Sequence, residues 1–355
     1  MRFDPPRDDG FWRALNAEID PAVRAPVGPP ALWAKAAFYL ALVAAGYGWL
    51  LSGPPGFAAT VAAYGLFNLA ALLLVLNLGH DAAHDALTPH PRLNRFLCEA
   101  SFALLGVDGH LWRMRHTRSH HIFPNINGCD ADIDHNPFLR LSPNHPWKRR
   151  HRWQHLYALP FYMVVHLHAI LVQDAIYIRK KQLANLRDIR HSRGRVAGFV
   201  ALKALYVTAL LVLPIALSPL PWIEVVAAYV LATVLASLAF VLPLIGTHFA
   251  DGNVFPEPGP DGRLHCTYVE HVLATSLDWA PTSRLVTFLI GGLNSHVAHH
   301  LFPRVSHAHY REISAAIGRL AARHGVEYHC TGLSGMIAAH FRHLRRLGER
   351  PAFQK

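Results

Sequence analysis

FAATVAAYGLFNLAALLLVLNLGHDAAH, residues 57–84, joins a long apolar run directly to a pair of histidines. Residues 57–78 carry no charged side chain, and a helix of about 20 apolar residues crosses the roughly 30 Å hydrocarbon core of a bilayer. His80 and His84 follow at once, and residues four apart lie on one face of a helix. The stretch therefore predicts a membrane span that presents two imidazoles at its end.

Three further apolar segments have the length of a membrane span: 32–51, 196–217 and 222–245. Apolar residues make up 52% of the 355-residue chain and charged residues only 16%, and the apolar residues are concentrated in these blocks. Such a distribution is typical of an integral membrane protein. Lys35 and Lys203 lie near the ends of their segments, where long side chains extend towards the membrane surface. We predict an all-α integral membrane fold with four transmembrane helices.

The loops between these segments differ in charge. Residues 52–56 and 218–221 carry no charge, whereas 79–195 and 246–355 are rich in Lys and Arg. Because basic loops are retained in the cytoplasm, both termini and the long middle region are predicted to be cytoplasmic. The four helices then form two hairpins, and the cytoplasmic regions form a helical cap.

The formal net charge of +11 indicates that basic residues face anionic lipid, and it favours a membrane protein over a nucleic-acid binder. Residues 1–31 are mixed in charge and lack the apolar core of a secretory signal. We predict a cytoplasmic N-terminal segment, 1–31, followed by one membrane domain, 32–355.

The region Leu156–Ile178 is also apolar, but it contains Asp174 and two histidines. Such groups are costly at the centre of a bilayer, so we predict one amphipathic helix that lies at the membrane interface. Phe96–Val107 and Leu285–Leu293 are too short to span and are predicted to be interfacial or re-entrant.

The strongest signal is the clustering of the 26 histidines. Three boxes stand out, HDAAH after the second apolar segment, HTRSHH in the basic middle region and HVAHH after the fourth segment. The predicted topology brings all three to one membrane face, and adjacent histidines such as His120 and His121 diverge enough on a helix to serve two metals. The eight box histidines are His80, His84, His116, His120, His121, His296, His299 and His300.

Eight imidazoles exceed what one metal ion takes, so two metals are the simple inference. Imidazole suits Zn, Cu, Fe and Ni, and spacing alone leaves the choice among them open. The chain has no Glu-x-x-His pair, no HExxH motif and no CxxC pair among its four cysteines. It also has no strand-flanked GxGxxG motif for a flavin or nicotinamide.

The three boxes in this order resemble those of the membrane fatty acid desaturase family. WRMRHTRSHHIFPNINGCDADID and GGLNSHVAHHLFP are similar to the second-box and third-box regions of that family. The resemblance implies a non-haem di-iron centre that uses O2 to desaturate a long-chain acyl lipid or acyl thioester. Electrons are then expected from a separate carrier, a ferredoxin or a cytochrome b5-like protein.

The resemblance also implies site residues. The eight box histidines become iron ligands, and His248, in LIGTHFADGN after the fourth segment, matches the place of a ninth. Metal-bound imidazoles usually donate their second N–H to a carboxylate or carbonyl, so Asp81, Asp85 and Asp130, which lie in or beside the boxes, are candidates for that role.

Three alternatives remain open. A hydroxylase or ketolase of the same superfamily would use the same site and yield a different product. A membrane metal transporter needs polar ligands within the spans, and a membrane haem protein needs paired histidines at mid-depth in opposing spans. Histidines outside the boxes are predicted to be ordinary surface or core residues, and substitution of His191 or His340 is predicted to leave activity intact.

Overall fold

The structure, a computed structural model, describes residues 1–5, 10–19, 23, 28–134, 136 and 138–351, without the side chain of Asp134. Over these residues the chain is mostly helical. Four of the described helices are long and apolar enough to cross a membrane, which confirms the four predicted segments. They are numbered here as the first to fourth long helices: Pro30–Leu51, Phe57–Ala83, Arg193–Leu217 and Trp222–Thr247.

The other described helices are shorter and lie before, between and after the long ones: Gly10–Glu18, Pro91–Leu104, Gly109–Arg115, Ala131–Asp134, Gln154–Met163, Val165–His168, Asp174–Tyr177, Tyr268–Thr275, Arg284–Ile290, His296–Leu301, Tyr310–His324 and Leu333–Gly348. Single turns of 3₁₀-helix occur at Arg149–Trp153, Ile245–Thr247 and His307–His309. Wider π-turns occur at Val75–Gly79, His116–His120, Ala169–Gln173 and Thr208–Val212. Two pairs of two-residue strands run parallel, Arg2–Phe3 beside Arg263–Leu264 and Asp278–Trp279 beside Cys330–Thr331.

The second long helix is the most buried of the four. The ring of Tyr64 packs edge-on against that of Tyr229 with centroids 5.5 Å apart, and its hydroxyl donates to the carbonyl of Leu210 at 2.7 Å. Asn68 donates to the hydroxyl of Thr233 at 3.3 Å. Several polar groups within the apolar helices are therefore paired across helices, which lowers the cost of burying them in hydrocarbon. Asn68 Oδ1 has no hydrogen-bond partner among the described residues.

The side-chain amines of the two lysines within the long helices each contact a polar group of the protein. Lys203 Nζ donates to Asp174 Oδ2 at 2.8 Å and to the carbonyl of Gly106 at 2.6 Å. Lys35 Nζ lies 2.9 Å from His307 Nε2. The sequence predicts only an extension towards the membrane surface, and the structure adds a polar partner at the end of each side chain.

The prediction of one helix over Leu156–Ile178 is wrong. The region is a pair of helical segments, Arg149–Met163 and Val165–Tyr177, that meet at an angle of 64°. Ser237 of the fourth long helix satisfies both ends of the break, because its hydroxyl donates to the carbonyl of Tyr162 at 2.6 Å and accepts from the amide of His166 at 3.1 Å. The bend follows Pro160, which has no backbone N–H to donate within the first segment, and a side chain from another helix stabilises it.

The first and second long helices approach each other closely at Gly46. A Cβ atom built there would lie 2.8 Å from the backbone nitrogen of Phe67 and 3.1 Å from its Cα. Small residues are favoured at such crossings because they let two backbones come together. Gly48, on the same helix, has no heavy atom within 4 Å of a built Cβ.

We expect Gly46→Ala to lower the thermal unfolding midpoint of the detergent-solubilised protein, because the added methyl group must push two backbones apart. Overpacking of this kind costs about 1–3 kcal/mol. Gly48→Ala is the matched control, and it should leave the midpoint unchanged or raise it slightly because Ala is the better helix former. Equal midpoints for the two variants would contradict the close crossing.

Candidate metal centre

Two of the three histidine boxes lie at a π-turn, and the third forms a short helix of its own. Box one, His80 and His84, follows the π-turn Val75–Gly79 at the end of the second long helix. Box two begins with the π-turn His116–His120, in which the amide of His121 donates to the carbonyl of His116 at 3.0 Å. Box three forms the short helix His296–Leu301. A π-turn widens the helix and is frequent at functional sites.

The structure brings all eight box histidines and His248 into one buried cluster. Two groups of four offer ring nitrogens that all lie within 4.8 Å of one another, and we name them the first and second tetrads. The first tetrad is His80, His84, His116 and His299, and the second is His120, His248, His296 and His300. His121 lies between them, within the same distance of His299 and His300.

The spacing of the ring nitrogens fits metal ligation. In the second tetrad, His248 Nε2 lies 2.7 Å from His296 Nε2 and 3.0 Å from His300 Nε2. In the first, His80 Nε2 lies 3.2 Å from His116 Nε2, which is 3.1 Å from His121 Nε2. Metal–imidazole bonds of roughly 2 Å place neighbouring ligand nitrogens roughly 3 Å apart.

Several rings are oriented by hydrogen bonds at Nδ1, which leaves Nε2 directed into the cluster. His248 Nδ1 donates to the carbonyl of Thr275 at 2.9 Å. His120 Nδ1 lies 3.2 Å from both carboxylate oxygens of Asp130. His299 Nδ1 lies 3.3 Å from the hydroxyl of Tyr310, and His299 Nε2 has no hydrogen-bond partner among the described residues. An unpaired, buried lone pair of this kind is what a metal ion requires.

The electrostatics of the cluster favour neutral imidazoles. Burial lowers the pKa of His296 to about 3, and it lowers the pKa of six others well below the usual value for histidine: His84, His116, His121, His248, His299 and His300. For His120 burial also lowers the pKa, but the carboxylates of Asp130 and Asp132 outweigh it and raise the pKa above the usual value. Neutral rings carry the lone pair that binds a metal.

The three candidate carboxylates have different partners. Asp130 is fully buried, contacts His120, and accepts the backbone N–H of Asn125 at 2.9 Å. Asp81 instead accepts from the Ser306 hydroxyl at 3.0 Å, and its Oδ2 lies 2.9 Å from His307 Nδ1. Its carboxylate therefore links box one to the chain after box three.

Asp85 forms an ion pair with Arg113 at 2.7 Å. Asp81 and Asp85 are candidates from the sequence for accepting the second N–H of a box histidine. Among the described contacts, however, neither carboxylate is hydrogen-bonded to a ring nitrogen of a box histidine. Their partners come instead from other segments, Ser306 and His307 for Asp81 and Arg113 for Asp85.

Several orienting groups give no sequence signal. Thr275 and Leu293 act through backbone carbonyls, the latter 3.3 Å from His296 Nδ1. Asp278 lies outside the boxes, yet its carboxylate accepts the amide of Val297 at 2.8 Å and the hydroxyl of Tyr328 at 2.6 Å. It thereby fixes the first turn of the box-three helix.

A cavity of about 640 Å³ opens beside the cluster. Its walls include Leu72 and Val75 of the second long helix and Phe240 and Leu244 of the fourth. Its inner end is lined by box histidines from both tetrads, among them His80, His116, His120, His296 and His299. The volume is in the ordinary range for a small-molecule site, and the walls suit an apolar chain.

Comparisons with known proteins agree with this geometry. A family model described as fatty acid desaturase matches residues 52–332. The sn-1 linoleoyl-lipid 6-desaturase of Arthrospira platensis is 26% identical over 96% of this chain and 94% of its own length. The enzyme of the same name from Synechocystis sp. is 26% identical, over 96% of each chain. The acyl-lipid (8-3)-desaturase of Mortierella alpina is 28% identical over 78% of this chain and 62% of its own.

The matched residues contain all three boxes, His248 and most of the cavity walls. The long apolar helices, the buried histidine cluster and the family match lead to one conclusion: this chain belongs to the fatty acid desaturase family.

Proposed function

We propose that this protein catalyses the O2-dependent desaturation of a long-chain fatty acyl group at a di-iron centre held by nine histidines. The observation that carries the proposal is the pair of buried tetrads at the inner end of an apolar cavity. Family membership supports lipid desaturation, and the histidine donor set supports two metal ions.

The two tetrads are the proposed iron ligands, with His121 between them. Imidazole donors suit iron among other metals, and the family supports the choice of iron. When bound, the two irons supply, with O2 and external electrons, the oxidising power that removes two hydrogens from neighbouring unactivated methylenes. The chain itself buries the imidazoles, and it orients two of them, His120 through the Asp130 carboxylate and His248 through the Thr275 carbonyl.

The cavity positions the acyl chain. Its apolar walls exclude water and hold the methylenes in an extended run, so that one region of the chain lies beside the imidazoles of His116 and His296. An acyl chain has many chemically similar C–H bonds. The depth to which the chain enters the cavity then determines which of them lie beside the metal site. We propose an acyl lipid as the substrate class, because the relatives are named as acyl-lipid or linoleoyl-lipid desaturases.

The proposed setting is an integral membrane protein with two helical hairpins and both termini in the cytoplasm. The charge-free turns and the basic middle region support this orientation. The histidine cluster then lies under a cytoplasmic helical cap, where a ferredoxin or cytochrome b5-like carrier would deliver electrons.

Expression in a host that lacks a desaturase tests the function. We expect a new unsaturated acyl species in the host lipids and two irons per purified chain. Any one of the nine His→Ala substitutions should abolish the product while the protein stays in the membrane. The reason is that the stability of the long helices in the membrane does not depend on the metal ligands. A hydroxylated or keto product, or stoichiometric zinc in an active preparation, would contradict the proposal.

His191→Ala is the control for these variants. His191 lies outside both tetrads, and its ring meets that of His110 edge-on with centroids 6.0 Å apart. It should keep near wild-type product and both irons. If two or more tetrad variants behave as this control does, the di-iron assignment fails.

Asp130→Asn tests the carboxylate beside the second tetrad. It keeps the side-chain volume but removes the charge that orients His120, and loss of such a partner typically weakens metal affinity by about 10–100-fold. Asp85→Asn is the matched control, since Asp85 also flanks a box but pairs with Arg113. Iron titration of both purified variants is the measurement. Equal iron affinities would show that Asp130 has no special role.

Membrane orientation is tested by reporter fusions. Fusions after Gly53 and Leu220 should report the outside, and fusions near Arg150 and after Lys355 the cytoplasm. The reason is that short turns without charge cross the membrane while basic regions are retained. Any fusion that reports the opposite side would break the topology that places the boxes under one cap.

A further inference from the structure

The C-terminal helix, Leu333–Gly348, lies beyond the residues that the family model matches, yet it packs against the segment that carries His248. A Cβ atom built on Gly246 would lie 2.6 Å from the side chain of Met336. The amide of Asp251 donates to the carbonyl of Ala339 at 3.0 Å. The segment 246–251 is thus held from one side by this helix.

His340 of the C-terminal helix contacts this segment through its side chain. Its Nδ1 lies 2.6 Å from the carbonyl oxygen of Phe249, the residue after His248. Its Nε2 lies 2.7 Å from the hydroxyl of Tyr162. His340 is fully buried, so both contacts are shielded from water.

The two partners fix the tautomer. A carbonyl oxygen can only accept, so His340 Nδ1 carries the hydrogen and donates to Phe249. Nε2 is then the acceptor, and Tyr162 donates to it. Burial lowers the pKa of His340 to about 4, which keeps the ring neutral at physiological pH. The ring therefore forms a directed bridge between two backbone regions.

The two hydrogen-bond partners of His340 both lie near the cavity and the proposed metal site. Tyr162 and Phe249 line the cavity beside His248. Tyr162 also lies at the bend between the helical segments Arg149–Met163 and Val165–Tyr177. The backbone carbonyl of His248 itself accepts a hydrogen bond from the side-chain amide of Asn125 at 3.0 Å. His340 thus completes a two-sided support of the peptide that carries this ligand.

We infer that His340 is a positioning residue, which sets the backbone at Phe249 so that His248 reaches the second tetrad, and which links that position to the cavity wall at Tyr162. This inference rests on the proposed di-iron function. It reverses the prediction from sequence that His340 is dispensable, because spacing along the chain gives no sign that a histidine 92 positions after His248 contacts its neighbour.

His343 provides a matched comparison on the same helix. It too is fully buried, and its Nε2 lies 2.9 Å from a backbone carbonyl, that of Leu141. Its ring stacks on Phe255 with centroids 5.2 Å apart. Burial lowers its pKa to about 4, as for His340. The two histidines differ in that the carbonyl bound by His340 adjoins a proposed metal ligand.

The test measures iron content and Fe²⁺ affinity of the full chain in detergent, beside the thermal unfolding midpoint. Wild type should hold two irons. His340→Ala should retain close to one iron, with affinity at the weaker site reduced about 10–100-fold. His343→Ala should lose comparable thermal stability but keep two irons with wild-type affinity.

Two conservative variants separate positioning from packing. His340→Asn keeps an amide N–H at the place of Nδ1 and should retain the second iron. His340→Gln keeps a similar volume but places its amide at the Tyr162 side, so it should lose iron as His340→Ala does. These variants also serve if His340→Ala fails to accumulate.

Iron contents that are equal in the Asn and Gln variants, or an equal iron loss in His340→Ala and His343→Ala, would overturn the inference. Two irons of wild-type affinity in His340→Ala would do the same. Wild-type protein that binds no iron would overturn the proposed function instead, so the two failures are distinguishable.

Discussion

The constraint on which the rest of the structure depends is the mutual approach of nine buried imidazoles. Their Nε2 atoms lie 2.7 to 3.2 Å apart where they meet in each tetrad, with lone pairs directed at a common centre. Lone pairs at that separation repel one another unless a cation lies between them, and the desolvated rings resist protonation. The surrounding protein must therefore hold each ring, and the supports come from every part of the chain: Thr275, Asp130, Leu293 and Tyr310.

Much of this could be predicted from the sequence. The four apolar segments had the right number and length, because hydrocarbon demands about 20 apolar residues and little else mimics that pattern. The boxes predicted a shared site because the predicted topology places all three of them at the same face of the membrane. Asp130 was found because it adjoins box two, and structure places it against His120. These signals are local, and local patterns are what a single sequence reveals.

What the sequence could not reveal depends on contacts between distant segments. The hydroxyl of Ser237 bridges the bend after Met163, and Pro160 near the break gives no sign of this contact with another helix. Asp81 lies inside box one, where adjacency favoured a role beside an imidazole, yet its partners are Ser306 and His307. The π-turn at box two changes the direction of each ring relative to an ideal helix, so the angular argument for His120 and His121 assumed a geometry that this segment does not adopt.

The histidine cluster lies at the ends of helices, so its ligands are positioned by segments outside the apolar packing of the long helices. Within the long helices, polar groups such as Tyr64 and Asn68 are paired across helices, and backbone hydrogen bonds are closed within each helix. Near the histidines the helices depart from regular α-geometry, at the π-turns Val75–Gly79 and His116–His120 and at the 3₁₀-turn Ile245–Thr247. The cavity combines both parts, because its lining includes apolar residues of the second and fourth long helices together with box histidines. In the proposed function, an acyl chain would lie along these apolar residues with part of its length beside the imidazoles. The depth it reaches is then set by the helices, and the orientation of the ligands is set by the segments that pack on their ends.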